Sequence, residues 1–269
     1  MTKTARQGIQ SIEVGGRLLH ALVEHGRPMM LRDLAAAAAM PASKAHRYLV
    51  SLARMGLIEQ DAGSAQYDLG PFSLQLGLAS LERQDAVKAA MPALSALCRD
   101  INETVALAVW GNHGPTVIRW EESSRPITMN LRTGSVLPLL SSATGLAFAA
   151  FLPPAFTAVL RKQELAAAKK AGTAIDEAEL DRSLAAVRRH GVARALGDLL
   201  PGVNALSVPV YDHSGMMVLA ISALGHAGLF NAAWDSPIAS ALKAAAAEVS
   251  RRLGYRGAVA AIAKGSKSA

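Results

Sequence analysis

Apolar residues follow a helical spacing from the start of the chain. Ile12, Leu19, Leu22 and Val23 line one side of Ser11–His25, and Gly26-Arg27-Pro28 ends the pattern as a helix stop does. Leu31–Ala39 carries a second, shorter pattern. Met40-Pro41 follows it, and proline suits the first turn of a third helix. On a helical wheel begun at Ser43, Ala45, Tyr48, Leu49, Leu52, Ala53 and Met55 share one arc. Ser43, Lys44, His46, Arg47, Ser51 and Arg54 share the opposite one, with Val50 as the apolar intruder. After Gly56, residues 57–60 and 66–69 flank the turn Asp61-Ala62-Gly63-Ser64, which reads as a hairpin. Three helices and a hairpin make residues 1–70 a winged helix-turn-helix domain.

A further helical pattern over Phe72–Arg83, with Leu74, Leu78 and Leu81 in a stripe and Leu76 beside it, places a linker or dimerising helix at 71–85. The second domain, 86–256, opens with a helix over Ala86–Asn102. From Thr104 the period changes to two: Thr104–Trp110 and Thr116–Glu121 read as strands around a Gly111–Gly114 turn. Ile127–Leu131 is a candidate strand and Thr144–Phe151 a helix. An alanine-rich connection then leads to a helix over Asp176–His190. Strands at Asn204–Tyr211 and Met216–Leu224 and a helix over Ser236–Leu253 complete the domain, leaving 257–269 as a frayed tail. The fold class is α+β, with an antiparallel sheet flanked by helices in the second domain.

Charge sharpens this picture. The chain of 269 residues has a net charge of +7. Residues 1–58 hold eight basic side chains against three acidic ones, which favours an anionic partner for the first domain. No apolar run reaches the ~18 to 20 residues of a membrane span. Met1–Gly8 is basic with no apolar stretch behind it, so no secretory signal and no membrane partner are expected, and the location expected is the cytoplasm. The single cysteine, Cys98, rules out an intramolecular disulfide and reads as core filling.

Candidate chemistry points to binding rather than catalysis. The seven histidines, at 20, 25, 46, 113, 190, 213 and 226, are scattered and accompany no hydrolase, zinc or nucleotide motif. Glu121 and Glu122 are adjacent on a strand and face opposite ways. No catalytic residue, metal or cofactor is therefore expected. The free face of the third helix has what a major groove requires: hydroxyls and lysine hold phosphates, and arginine reaches a guanine edge. A solvated face explains the charge alone equally well, but the helix order and the wing favour DNA. Ser43, Lys44, His46, Arg47, Ser51 and Arg54, with Arg32 from the second helix, are the candidate DNA contacts.

The segments Leu31-Arg32-Asp33-Leu34-Ala35, Met40–Leu49 and Tyr67-Asp68-Leu69-Gly70 resemble helix two, recognition helix and wing of the IclR family of bacterial regulators. The resemblance continues through Gly134–Leu139, Ala143–Ala147 and Gly202–Asp212, nearly the whole chain. It implies a GAF-like second domain with an effector pocket between sheet and helices. The pocket positions it implies are Met129, Leu137, Ala143, Thr144, Ala195 and Val203, then Ala205, Ser222 and Leu224, with Arg194 and Asn204 if they turn inward. The family signature starting at Gly191 matches at Ala205-Leu206-Ser207, Val210, Tyr211 and Asp212. Ala195 replaces an expected Asp or Ser, and Asp198 an expected Glu. Amides at Ala143 and Thr144, opening a helix, suit a carboxylate.

The resemblance thus implies a repressor or activator, a homodimer or homotetramer on a palindromic operator in double-stranded DNA, controlled by a small organic acid. A pocket with alanines in place of polar groups suits a larger, apolar or aromatic acid. Two rival readings are a cytosolic enzyme acting on a small acid and a DNA-binding dimer with no effector.

Overall fold

The computed structural model describes residues 8–124, 131–197 and 199–257. The chain divides into two compact units, Met1–Gln84 and Asp85–Ala269.

In the first unit, α1 (Gln10–His25), α2 (Leu31–Ala37) and α3 (Ala42–Arg54) precede a hairpin of β1 (Ile58–Gln60) and β2 (Tyr67–Leu69), followed by α4 (Pro71–Glu82). Leu18, Leu34 and Leu49 are wholly buried and meet Ala45 and Ile58 in the core between helices and hairpin. Gly26 ends α1 with φ 72° and returns its N–H to the Leu22 carbonyl. The α2–α3 turn puts Ala39 at φ 52°, which costs a residue with a β-carbon about 1–2 kcal/mol. In return, the Met40 N–H reaches the Ala35 carbonyl and closes the end of α2.

The wing is tied at its tip by Asp61, whose Oδ1 accepts from the Ser64 amide and hydroxyl at 2.7 Å each. These hydrogen bonds hold the Asp61 carboxyl below its ordinary pKa. At the base of the wing, a β-carbon on Gly70 would stand 2.5 Å from the Gly56 carbonyl oxygen and 2.9 Å from the Ile58 backbone. The chain can pass from hairpin to α4 there because residue 70 has no side chain. Helix α4 then buries none of its residues, and Leu74, Leu76, Leu78 and Leu81 are all exposed.

The second unit is built on one antiparallel sheet of β3 (Thr104–Gly111), β4 (Gly114–Glu121), β5 (Ala193–Leu196), β6 (Val203–Tyr211) and β7 (Met217–His226), in the order β4-β3-β7-β6-β5. One face packs on α5 (Ala86–Ile101) and α9 (Pro237–Arg252) through Leu107, Leu206, Val208, Leu219 and Ile221. The other packs on α6 (Ala143–Phe151) and α8 (Glu177–His190), with Phe148, Leu146, Leu184 and Val187 set against Ala108, Ala193 and Ala220. Cys98 is buried in the α5 layer, and burial first, then nearby Glu121, raise its thiol pKa against the opposing pull of Arg99.

Three sequence expectations change, and a fourth falls largely outside the described residues. The alanine-rich stretch read as a connection is helix α7 (Pro154–Lys170), begun by Pro153-Pro154 and rich in strong helix formers. It had no apolar stripe to reveal it, and Thr157 is its one buried residue. Strand β5 was not foreseen, because Ala-Arg-Ala-Leu has no strand signal of its own and is held by pairing with β6. Ala53 and Met55, placed on the buried arc of the third helix, are exposed at its C-terminal end. Of the candidate strand 127–131, only Leu131 is described, in no strand; the rest, like residues 258–269, lies outside the described residues.

Tyr211, at the end of β6, sits half-buried between Phe151 and Tyr255, at ring-centroid distances of 6.3 and 4.9 Å. Burial, followed by the neighbouring Tyr255, pushes its pKa up to about 12. The fold therefore favours the protonated phenol. The resulting stability is complete below the ordinary tyrosine value near 10 and is lost as pH rises from there toward 12. Denaturant unfolding at pH 9 and 11.5 should show a smaller loss for Tyr211→Phe than for the parent chain.

Candidate functional site

Helix α3 contains three cations and no acidic residue, and Ala45 and Leu49 alone are buried. That anchoring turns Ser43, Lys44, His46, Arg47, Ser51 and Arg54 to solvent, and Arg32 on α2 is exposed as well. Val50, the apolar intruder, is 39% exposed. The Ser51 hydroxyl donates back to the Arg47 carbonyl at 3.3 Å. Tyr48 is packed from the core side, where a β-carbon on Gly15 of α1 would stand 3.2 Å from its ring. The seven side chains expected to contact DNA thus lie on the surface of one unit, six of them on a single helix.

A cavity of about 520 Å³, including its open mouth, lies in the second unit between the sheet and the start of α6. The register of the sheet explains its position. Trp120 pairs with Ala106, Ala106 with Ser222 and Ser222 with Ser207, forming one cross-strand row. Two residues along, Leu224 pairs with Ala205 and Ala205 with Ala195. Paired residues share a face, so both rows look toward α6, and their mostly small side chains leave space beneath it. Val117, Leu131, Leu137, Leu199, Leu200 and Val203 complete the apolar wall.

The polar groups gather where α6 begins. Ser142 caps the helix, accepting from the Gly145 amide at 2.8 Å and donating to the Pro138 carbonyl at 2.6 Å. The Leu146 amide goes to the Ser142 carbonyl. The amides of Ala143 and Thr144 precede the helix ladder and hold no hydrogen bond to any described residue, although both residues are at least 95% buried. Behind them, Ser222 donates to Ser207 at 2.9 Å and pairs with Thr144 at 2.8 Å. The one hydrogen of Ser222 goes to Ser207, so Thr144 is the donor in the second bond. Among the described residues, the cavity lining includes no charged side chain.

Of the expected pocket residues, Leu137, Ala143, Thr144, Ala195, Val203, Ala205, Ser222 and Leu224 line this cavity. Met129 and Asp198 lie outside the described residues. Arg194 and Asn204 do not turn inward. Arg194 pairs with Leu206 and Asn204 lies two residues before it, so alternation sends both to the α5/α9 face. There the Arg194 guanidinium lies 4.4 Å from the ring centre of Trp234, the ring on which His190 also stacks. Ala106, Val117, Trp120, Leu131, Ser142, Leu199 and Leu200 are lining residues that sequence reasoning missed. Alternation along 116–121 showed that Trp120 faces one side, but only strand pairing determines which side.

A helix-turn-helix unit with a basic outer face, joined in one chain to an α+β unit that holds an apolar cavity, defines the class: a DNA-binding domain carried with a second, cavity-bearing domain. Residues 11–62 match the IclR helix-turn-helix domain, and residues 78–251 match the bacterial transcriptional regulator IclR C-terminal domain. The chain belongs to the IclR family and is a DNA-binding transcriptional regulator of that type. The glycerol operon regulatory protein of Streptomyces griseus is 30% identical over 253 residues, which cover 92% of this chain and 98% of that protein. The crystal structure of Pseudomonas aeruginosa HmgR is 42% identical, with a TM-score of 0.86, over 93% of this chain and 100% of that one. An IclR homologue from Microbacterium hydrocarbonoxydans, solved with 4-hydroxybenzoate, shares the fold at 22% identity and a TM-score of 0.54, over 90% of this chain and 98% of that one.

Ser222→Ala removes the hydroxyl that Thr144 and Ser207 share and leaves both in a buried setting without it. A loss of about 1–3 kcal/mol is expected in urea unfolding of the cavity unit.

Proposed function

We propose that this regulator is controlled by an aromatic or similarly apolar carboxylic acid bound in the cavity beneath α6, and that α3 is its DNA-reading helix. The observation that carries the effector assignment is the pair of buried amides at Ala143 and Thr144, bonded to no described residue, in the wall of a largely apolar cavity. Amides withdrawn from water favour an acceptor, and the start of a helix favours an anion. Apolar walls of Trp120, Leu137, Val203 and Leu224 suit a ring or alkyl body far better than the two or three carbons of a small keto acid. The 4-hydroxybenzoate held by the structural neighbour from Microbacterium hydrocarbonoxydans is an acid of this type.

Lys44 and the hydroxyls of Ser43 and Ser51 hold phosphates, while Arg47, His46 and Arg54 reach toward base edges, with Arg32 on the adjoining backbone. The protein acts in the cytoplasm as a homodimer or homotetramer on a palindromic operator, with two recognition helices meeting successive major grooves. The acid changes operator binding by favouring one arrangement of the assembly over another.

Operator binding is measured by fluorescence anisotropy on the DNA upstream of the protein's own gene. Arg47→Ala should cost about 1–3 kcal/mol, and Lys44→Ala should lower the slope of log affinity against log salt by about one. Unchanged affinity in both variants would assign recognition to another element. For the effector, benzoate and 4-hydroxybenzoate should raise the melting temperature of the full chain in a concentration-dependent way, while glyoxylate and pyruvate should not. Stronger stabilisation by the small keto acids would overturn the aromatic assignment. No stabilisation by any acid would favour a DNA-binding dimer without an effector.

A further inference from the structure

Leu139 and Leu140 lie in the segment leading into α6, in neither helix nor strand, yet Leu139 is wholly buried and Leu140 is 8% exposed. Backbone amides placed there need an acceptor from elsewhere in the fold. One side chain serves both. On α7, Glu164 accepts the Leu139 N–H on Oε1 at 2.7 Å and the Leu140 N–H on Oε2 at 2.9 Å. A carboxylate used in this way makes charge-assisted bonds stronger than neutral ones.

The same segment is locked to α6 from its other end. Ser142 bridges the Pro138 carbonyl and the Gly145 amide. Gly145 itself is pressed so closely on the segment that a β-carbon would stand 2.1 Å from the Pro138 carbonyl oxygen and 2.5 Å from that of Leu139. Residues 138–145 are thereby tied into one piece, and that piece carries Ser142, Ala143 and Thr144 of the cavity wall. Helix α7 is fixed in turn to α8, where Arg161 bonds Asp181 at 2.9 Å and lies 3.7 Å from Glu177.

We propose that Glu164, which does not line the cavity, is the positioning residue for the acid-binding amides: its carboxylate sets the orientation in which Ala143 and Thr144 present their N–H groups to the ligand. This rests on the reading of the cavity as a carboxylate site. Glu164→Gln keeps the size and one acceptor oxygen, but sets an NH2 group against the second amide, donor facing donor. The segment must shift to relieve that contact, and the amides of α6 shift with it.

The test compares benzoate with benzyl alcohol, which has the same ring but no charge, by calorimetric titration of the full chain. Loss of amide alignment should lower the preference for benzoate over the alcohol about tenfold in Glu164→Gln, a change of about 1.4 kcal/mol, and leave affinity for the alcohol unchanged. Operator affinity without ligand serves as the folding control. An equal loss for both compounds would mean general damage to the cavity and would overturn the proposal. Unaltered preference in a variant whose parent binds benzoate would overturn it too, leaving the cavity assignment standing. Binding of neither compound by the parent chain would remove the cavity assignment and this inference together. A measurement needing no variant is amide hydrogen exchange in the parent chain. Benzoate should slow Leu139 and Leu140 together with Ala143 and Thr144; slowing confined to the last two would contradict the proposed coupling.

Discussion

Strand pairing across the five-stranded sheet is the constraint on which the cavity depends. Antiparallel register aligns Ala106, Ser222 and Ser207 in one row and Leu224, Ala205 and Ala195 in the next, all on the face toward α6. Side chains mostly this small cannot fill the distance to a helix packed on a sheet, so space remains where larger residues would make a core. A shift of one residue in any pairing would exchange the two faces and bring Leu206 and Ile221 under α6 instead. The opposite face shows the alternative, since leucine, isoleucine and valine there close tightly against α5 and α9.

The first turn of α6 supplies the polarity that this space lacks. Its two leading amides are buried by the tertiary fold but come before the helix's own hydrogen-bond ladder, so among the described residues none accepts from them. Serine and threonine hydroxyls nearby are occupied with one another along the line from Thr144 through Ser222 to Ser207. Recognition of an acid here would therefore depend on backbone rather than on a cationic side chain. That makes the exact placement of the backbone decisive, and two side chains from different elements fix it: Ser142 from the segment itself and Glu164 from α7.

The first unit is organised differently. Its outer face is set by the inner one: once Ala45 and Leu49 are buried against α1 and α2, the geometry of a helix turns the basic and hydroxyl side chains outward. Here function follows from local periodicity. Exposed leucines along α4 belong to the same unit, on a helix that buries none of its own residues.

Residue order alone determined the helices of the first unit, the wing, the α+β class and the basic face of α3, because each is written in a local period or turn that needs no distant partner. It also marked Leu137, Ala143, Thr144, Ala195, Val203, Ala205, Ser222 and Leu224 through the family resemblance. Only the tertiary structure decided that Arg194 and Asn204 face away from the cavity, that Trp120 and Ala106 join its wall, and that the stretch around Glu164 is a helix holding the backbone before α6. The physical reason is range. A side chain's face in a sheet is fixed by hydrogen bonds to strands more than a hundred residues away, and a carboxylate that serves buried amides 24 and 25 residues back leaves no periodic mark on the sequence.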